Sequence, residues 1–189
     1  MILVTGGTGL VGSHLLFDLA GKGNKVFAIR RPGSDISQVK KVFSYYSAES
    51  EHLFSSIQWV EGDVCDYYSV LEALTNIEQV YHCAAIVSFN PLDYKEMEDV
   101  NVQGTTNIIN ACLAKKVKKL CHVSSIATLG RTLEEGLTRE DFHWKNSKNN
   151  SFYSVTKYNA EREVWRGIAE GLTAVIVNPS VVIGPGNWE

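Results

Sequence analysis

The stretch TGGTGLVG (5–12) decides the fold of this 189-residue chain. It follows a short apolar run, MILVT, and precedes a segment whose leucines recur at helical spacing. Glycines at G-x-x-G-x-x-G spacing in a strand-to-helix turn are typical of a turn that receives a diphosphate. Gly6 permits a tight turn, Gly9 lets a ligand approach the backbone, and Gly12 lets helix and strand lie close together. The sequence therefore predicts a phosphate site on the exposed N–H groups that open the first helix.

The rest of the chain alternates short apolar runs with longer amphipathic segments. Strands are predicted at 1–5, 25–30, 57–60, 79–83, 119–124 and 173–178, and helices at 10–20, 34–47, 69–74, 94–115 and 153–170. This alternation predicts an α/β fold, a doubly wound parallel sheet with helices on both faces. The polar segment 130–150 has no clear period and is predicted to be a long loop, which is unusual without a function. We expect the whole chain, 1–189, to form one domain.

Composition and charge favour a small-molecule partner. Apolar residues make up 44% of the chain, charged residues 21%, and the net charge is -3, which gives no electrostatic reason to expect nucleic acid or an anionic membrane. The N-terminus has no basic segment, and no apolar run approaches the roughly 20 residues that span a bilayer. We therefore expect a cytoplasmic protein. No two cysteines have C-x-x-C spacing, so we expect buried free thiols and no metal site. The cysteines are Cys65, Cys83, Cys112 and Cys121.

The end of the second predicted strand bears on which dinucleotide binds. An acidic residue there would bind the ribose 2′-OH of NAD, whereas this chain has Arg30 and Arg31, whose guanidinium groups suit a 2′-phosphate. We therefore predict NADP(H), with NAD(H) as the alternative, and a solvated strand end as the structural alternative for the arginines. Asp63 would either accept a hydrogen bond from adenine or cap the following helix. His82 is more typical of a packed histidine than of a ligand.

A second group of residues indicates oxidoreductase chemistry. Tyr153 and Lys157 lie four positions apart and therefore share one face of a predicted helix. A nearby ammonium lowers the pKa of a phenol, so Tyr153 would exchange a proton with a substrate oxygen while hydride moves at carbon. The fifth strand ends in Ser124-Ser125, where a hydroxyl would bind the reacting oxygen, and the sixth ends in Asn178-Pro179-Ser180. Ligands of open α/β sheets bind at these carboxyl ends of strands.

Together these segments resemble the extended short-chain dehydrogenase/reductases, the NAD-dependent epimerase/dehydratase type of Rossmann-fold enzyme. The resemblance rests on TGGTGLVGSHL (5–15), GDVCD (62–66), HCAA (82–85), VNVQGTTNII (100–109), HVSSIATLG (122–130), YSVTK (153–157) and NPSVVIGPG (178–186). These motifs occur in family order and span nearly the whole chain.

The resemblance implies a role for each matching residue. Tyr153 would be the general acid/base, Lys157 would tune it and bind the nicotinamide ribose, and Ser125 would orient the substrate oxygen. Asn101 matches a family asparagine with a structural or water-holding role. The implied nucleotide-binding residues are Gly6, Gly9, Leu10, Val11 and Gly12 around the pyrophosphate, Asp63 and Val64 beside adenine, Ala84, Ala85 and Val123 along the cleft, and Pro179 and Ser180 beside the nicotinamide.

Departures from the family pattern favour simple carbonyl/alcohol interconversion. Sugar-nucleotide epimerases usually carry Asp where Arg30 stands, and often Tyr-Gly in place of Leu129-Gly130. The sugar 4,6-dehydratases carry Asp-Glu where this chain has Ile126-Ala127. Arg-Arg-Pro at 30–32 instead resembles dihydroflavonol reductases and 3β-hydroxysteroid dehydrogenases.

Three functional hypotheses follow. The first is an NADP(H)-dependent reductase or dehydrogenase, the second an NAD-dependent sugar-nucleotide epimerase, and the third a non-catalytic module that senses NADP(H). Retention of the Ser/Tyr/Lys set argues against the third. Family members run to roughly 300 residues or more, above the usual size of one domain, and their substrate lobe is mostly C-terminal, so we expect an incomplete substrate pocket here. They often dimerise through the two long helices, although packing within one chain is an alternative explanation of that periodicity.

Overall fold

The six apolar runs form one parallel sheet. The computed structural model describes residues 1–48, 50–129 and 144–186. The strands are β1 (Ile2–Thr5), β2 (Val26–Arg30), β3 (Gln58–Glu61), β4 (Gln79–His82), β5 (Lys119–Val123) and β6 (Ala174–Val177). Their order across the sheet is β3-β2-β1-β4-β5-β6, and all neighbouring pairs are parallel. The order reverses between β1 and β4, which opens a crevice at the carboxyl ends of these two strands.

Helices cover both faces of the sheet, which confirms the doubly wound α/β prediction. One face packs against α1 (Leu10–Gly21), α2 (Ser37–Ser44) and α3 (Ser50–Ser55), and the other against α4 (Tyr67–Ala73), α6 (Gly104–Lys115) and α7 (Phe152–Ala169). Successive strand residues point to opposite faces, so Leu3 lies in the core under α4, α6 and α7, while Val4 lies in the core under α1 to α3.

The edge strand β6 departs from this pattern. Ala174 and Ile176 pack against the core on the α6–α7 side. Val175 and Val177 point to the other face, where they remain 52% and 44% exposed. Among the described residues, helices therefore cover β6 on one side.

The predicted helix over 94–115 is continuous in extent but not uniform. It starts after a 3₁₀ turn (Pro91–Asp93) with a short helix, α5 (Tyr94–Met97), passes through a π-helical segment (Glu98–Gln103), and continues as α6. A π turn widens the helix locally and often marks a functional position. Here it contains Asn101, which is buried.

Three sequence expectations need correction or lie outside the described residues. The predicted helix over 34–47 is shorter, Ser37–Ser44, and a second helix, Ser50–Ser55, follows it. Cys65 is exposed, because it lies in the turn before α4 rather than in a strand; the other three thiols are buried or half-buried, as expected. Of the predicted loop, 144–150 is described and contains neither helix nor strand, whereas 130–143 falls outside the described residues. Within the described parts, no helix is both long and apolar enough to cross a membrane.

Candidate active site

The glycine turn lies against the backbone of the neighbouring strand. Gly6 has a φ of +67°, a conformation that favours glycine, and a Cβ there would lie 2.6 Å from the amide nitrogen of Ala84. A Cβ on Gly12 would overlap the carbonyl oxygen of Gly6. Both positions therefore require the absence of a side chain. Gly9 is different, because a Cβ there would meet little more than the Gly6 oxygen, at 3.3 Å.

The start of α1 presents an anion site at this turn. Gly9 is the N-cap residue, with extended backbone and no side-chain cap. Its N–H donates to the carbonyl of Gly6 at 3.0 Å, which leaves the N–H groups of the first helical turn for a ligand. α1 carries no acidic residue in its first turn, so no carboxylate competes with an anionic ligand there.

A cavity of about 200 Å³ lies on the β2–β3 side of this turn. It brings together the residues predicted from the sequence to contact the adenosine half of a dinucleotide. Its lining includes Gly6, Gly9, Arg30, Arg31, Asp63, Val64, Ala84 and Ala85, together with Thr8, Ser34, Gly62 and Cys83.

The two arginines of this cavity have different surroundings. Arg30 is 27% exposed at its side chain, and its Nη2 lies 3.1 Å from an Oε1 of Glu61 on the neighbouring strand. Its Nε is buried and has no hydrogen-bond partner among the described residues. Arg31 is exposed, and no ion pair involves it in the described ranges. Arg31 is therefore the more available cation.

Asp63 is oriented toward its own loop. Its Oδ1 accepts a hydrogen bond from the N–H of Cys65 at 2.9 Å. The N-cap of α4 is instead Asp66, whose side chain accepts from the N–H of Tyr68. The capping alternative for Asp63 is therefore wrong, because the helix begins three residues later than that role would require.

A second, larger cavity of about 510 Å³ continues from the same turn toward β5 and β6. It shares Gly6, Gly9, Cys83 and Ala85 with the first cavity. Leu10, Val11, Gly12, Val123, Ser125, Tyr153, Lys157, Pro179 and Ser180 line it, so every site residue predicted from the sequence lies in one of the two cavities.

Lys157 is buried at the floor of this cavity and is only 2% exposed. Its Nζ donates to the carbonyl of Val123 at 2.8 Å, which leaves its other protons for further acceptors. Burial lowers the pKa of Lys157 from 10.5 to about 8, and the charge of Glu161 opposes part of this shift. Tyr153 lies one turn earlier on α7 and lines the same cavity.

The adjacent serines at the end of β5 differ in their contacts. The Oγ of Ser125 accepts from the N–H of Ala127 at 3.1 Å, so its own hydroxyl proton remains available. The buried Ser124 donates instead to Oε2 of Glu161 at 2.6 Å.

Two buried histidines lie beneath the cleft, beside Lys157. His82 Nδ1 lies 2.7 Å from the Thr5 hydroxyl and Nε2 lies 3.0 Å from the Thr105 hydroxyl. Because Thr105 donates its proton to the carbonyl of Asn101, it must accept from Nε2–H, which fixes the neutral tautomer of His82. Burial and the charge of Lys157 lower the pKa of His82 to about 3. His82 is therefore a packed histidine, as expected.

His122 is more unusual, because neither ring nitrogen has a hydrogen-bond partner among the described residues. Its ring centroid lies 5.2 Å from that of His82. Burial first, then the charges of Lys157 and His82, hold the pKa of His122 well below 6.5. We call His82, His122 and Lys157 the polar layer under the cleft. In this layer Lys157 carries the charge, and the two imidazoles do not.

Asn101 of the π-helical segment ties the cleft to α7. Its Oδ1 accepts from the N–H of Ile86 at 2.8 Å, and its Nδ2 donates to the carbonyl of Ile86 and the hydroxyl of Thr156. Since Thr156 precedes Lys157, this asparagine links the segment after β4 to the helix that carries Tyr153.

Comparison with known proteins matches this architecture to one family. The family model for the NAD-dependent epimerase/dehydratase family covers residues 2–189. The chain belongs to this family. The extended short-chain dehydrogenase/reductase resemblance predicted from the motifs is thereby confirmed.

Relatives of this epimerase/dehydratase chain include both reductases and epimerases. It is 32% identical to sterol demethylase protein B of Methylococcus capsulatus, over 99% of this chain and 52% of that protein. It is 27% identical to the dihydroflavonol 4-reductase of Gerbera hybrida, over 97% of this chain and 52% of the relative. The UDP-glucuronic acid 4-epimerase of Bacillus cereus, solved with NAD, superposes with a TM-score of 0.79 at 26% identity, over 98% of this chain and 58% of that one. The chain thus spans about half the length of the curated relatives it matches.

Several lining residues of this family member were missed from the sequence. Val87, Phe89 and Ile126 line the larger cavity, and Phe89 makes an edge contact with Tyr153 at a centroid distance of 6.3 Å. They lie outside regular strands and helices or in a short 3₁₀ turn, where periodicity gives no signal. Glu161 was also missed, although its position four residues after Lys157 places it on the same helix face.

Proposed function

We propose that this chain is the nucleotide-binding part of an NADP(H)-dependent oxidoreductase that interconverts a carbonyl and a secondary alcohol. One observation carries the proposal: Ser125, Tyr153 and Lys157 line the same cavity as the start of α1. A cleft that combines a helix N-terminus with a tyrosine, a serine and a buried lysine suits a diphosphate-containing hydride carrier beside a substrate oxygen.

The residues of the cleft fit a dinucleotide. A side chain at Gly6 or Gly12 would close the turn against neighbouring backbone. Because the two cavities share Gly6, Gly9, Cys83 and Ala85, they adjoin at the glycine turn, with Arg31 lining one and Tyr153 the other. Gly6, Gly9, Leu10, Val11 and Gly12 would hold the diphosphate, Asp63, Val64, Ala84 and Ala85 the adenosine half, and Val123, Pro179 and Ser180 the nicotinamide half.

The proposed chemistry divides between three side chains. In reduction, Tyr153 donates its hydroxyl proton to the substrate oxygen, and in oxidation it takes that proton back. Ser125 donates a hydrogen bond to the same oxygen. Lys157, already held by the Val123 carbonyl, would place an ammonium beside the tyrosine and would bind the ribose of the cofactor. The bound nicotinamide supplies or accepts the hydride.

NADP(H) is proposed over NAD(H) because of the first cavity. Glu61 is paired with Arg30, so its charge is partly neutralised, and it does not line the cavity. Arg31 and Ser34 line it and would bind a 2′-phosphate by a charge-assisted contact and a hydroxyl contact.

The larger cavity supports an apolar carbonyl substrate. Its described lining includes Val87, Phe89, Ile126, Val181 and Val182, and Lys157 is the single charged side chain in that described lining. A nucleoside diphosphate sugar would place its diphosphate against this apolar surface, whose one cation, Lys157, is buried and held by the Val123 carbonyl. An epimerase remains the second candidate because a solved 4-epimerase superposes at a TM-score of 0.79.

The test uses the full-length protein, two test variants and one control variant. Arg31→Ala should weaken NADPH binding by about 10- to 100-fold, the value of one charge-assisted contact, and leave NADH binding almost unchanged. Arg162→Ala, an exposed arginine of α7, is the control. Tyr153→Phe should lower kcat by about 100-fold or more while NADPH still binds. Fluorescence titration gives the dissociation constants, and NADPH loss against a panel of apolar ketones gives kcat.

Each part of the proposal has its own contrary result. Equal affinity of the wild-type protein for NADH and NADPH would reject the NADP(H) assignment. Wild-type turnover in Tyr153→Phe would reject the catalytic assignment. NAD that stays bound through purification, with sugar-nucleotide epimerisation and no net cofactor consumption, would favour the epimerase.

A further inference from the structure

Glu161 joins three elements at the back of the site. It lies on α7, one turn after Lys157, and one of its oxygens, Oε2, accepts two hydrogen bonds. One comes from Ser124 at the end of β5, at 2.6 Å, and the other from Nδ2 of Asn178 just after β6, at 3.0 Å. The carboxylate therefore connects the ends of two strands to the helix that carries Tyr153.

Asn178 extends this connection to the residues that follow β5. Its Nδ2 also contacts the carbonyl of Ser125 at 3.1 Å and the hydroxyl of Thr128 at 3.0 Å. The backbone of the two strand ends continues the link, because Ile126 donates its N–H to the carbonyl of Pro179 at 3.1 Å. Ser125 and Pro179 directly follow Ser124 and Asn178, the two residues that Glu161 binds. These contacts therefore fix the position of Ser125 relative to Pro179.

Glu161 is also the acid closest in sequence to Lys157 on α7. The other groups around the lysine are Tyr153 on the same helix, His82 and Cys83 at the end of β4, and His122 on β5. Both imidazoles are neutral at pH 7 because their pKa values are lowered. Glu161 is therefore the main source of negative charge that keeps the buried lysine protonated.

We infer that Glu161 is a positioning residue for the reaction: it fixes Ser125 relative to Tyr153 by holding Ser124 and Asn178 against α7. The inference rests on the proposed function. It assigns Glu161 no contact with substrate or cofactor, since it does not line the described cavities.

Substitutions of Glu161 in the full-length protein separate the effect of its side-chain length from the effect of its charge. Glu161→Asp keeps the charge but is one methylene shorter, so its carboxylate cannot contact both Ser124 and Asn178 at hydrogen-bond distance. Glu161→Gln keeps the reach and removes the charge. Glu163→Asp is the matched control, because Glu163 lies on the same helix and binds Arg166 at 2.9 Å, away from the strand ends.

The expected results differ between these variants. Glu161→Asp should lower kcat by about 10- to 100-fold, the usual cost of a displaced catalytic group, with a smaller change in the KM for NADPH. Its Ile126 amide should exchange with solvent faster, as measured by mass spectrometry of the peptide around residue 126. Glu161→Gln should keep more of kcat, and the alkaline limb of its pH profile should move to lower pH, because burial then lowers the pKa of Lys157 without opposition.

Two results would overturn the inference. In the first, Glu161→Asp retains wild-type kcat and wild-type exchange at Ile126. In the second, Glu163→Asp loses as much activity as Glu161→Asp, which would reduce the effect to general loss of folded protein. If the wild-type protein turns over no carbonyl substrate, the proposed function fails, whereas exchange at Ile126 still decides whether Glu161 holds the strand ends together.

Discussion

Acid should destabilise this protein through the two histidines buried under the cleft. His82 is 1% exposed and has a pKa of about 3, compared with 6.5 for a free imidazole. Between these two values the unfolded chain binds a proton that the folded chain excludes, so the free energy of unfolding falls as pH falls through 6.5. The contribution is intact above about pH 7 and declines toward pH 3.

The size of the loss in unfolding free energy follows from the pKa of histidine in the unfolded chain. At pH 5, about 1.5 units below 6.5, the unfolded state gains about 2 kcal/mol from protonating His82, at about 1.4 kcal/mol for each pKa unit. The pKa of His122 is also held well below 6.5 by burial, so it adds a loss of the same sign. The loss from His82 alone is a sizeable part of the roughly 5–15 kcal/mol that holds a typical domain folded.

Urea denaturation at pH 7, 6 and 5 measures this loss, and a variant separates the two rings. His122→Asn should lose less free energy of unfolding than the wild-type protein between pH 7 and pH 5. His52→Asn removes an exposed histidine of α3 and should follow the wild-type curve. A wild-type free energy of unfolding that stays constant from pH 7 to pH 5 would refute the reasoning. So would a His122→Asn variant with an undiminished loss.

Two further perturbations test the turn and the lysine. Gly12→Ala should lower stability by about 1–3 kcal/mol and NADPH affinity by at least about 10-fold, because its Cβ meets fixed backbone of Gly6. Gly21→Ala, at the open end of α1 with nothing within 4 Å of the added Cβ, should instead stabilise by about 0.5–1 kcal/mol. Calorimetry and fluorescence titration distinguish these outcomes. Lys157 has a pKa of about 8 in the folded protein, compared with 10.5 for an ordinary lysine. Between these values the unfolded state binds more protons, so the free energy of unfolding should rise from pH 8 to 10.5 relative to a Lys157→Met variant. Parallel stability curves for the two proteins would contradict this.

Much of this fold was predictable because each signal is local. The G-x-x-G-x-x-G turn, the alternation of apolar runs with amphipathic segments, and the i, i+4 spacing of Tyr153 and Lys157 each depend on residues close in sequence. The carboxyl ends of parallel strands meet at one edge of the sheet, and ligands bind at that edge. The predicted residues could therefore be placed in one cleft from the sequence.

The features that the sequence did not reveal either have a weak local pattern or depend on contacts between distant segments. The helix Ser50–Ser55 carries a weak local pattern, and the π turn at Glu98–Gln103 leaves the sequence period almost unchanged. The pairing of Arg30 with Glu61 arises from strand register between β2 and β3. The link from Glu161 to Asn178 requires α7 to pack across β5 and β6, which single-sequence periodicity does not specify.

The polar layer under the cleft explains why hydrophobic packing stops short of the strand ends. Apolar side chains at His82, His122 and Lys157 would stabilise the sheet, since each of these groups loses hydration on burial. Two neutral imidazoles, of which His122 has no hydrogen-bond partner in the described part of the chain, lie beside an ammonium that is held by a backbone carbonyl and by the charge of Glu161. Because both imidazoles are neutral, the charges under the cleft are the Lys157 ammonium and the nearby carboxylate of Glu161. Under the proposed function, the stability lost by burying this layer is the physical counterpart of a pre-organised lysine beside Tyr153.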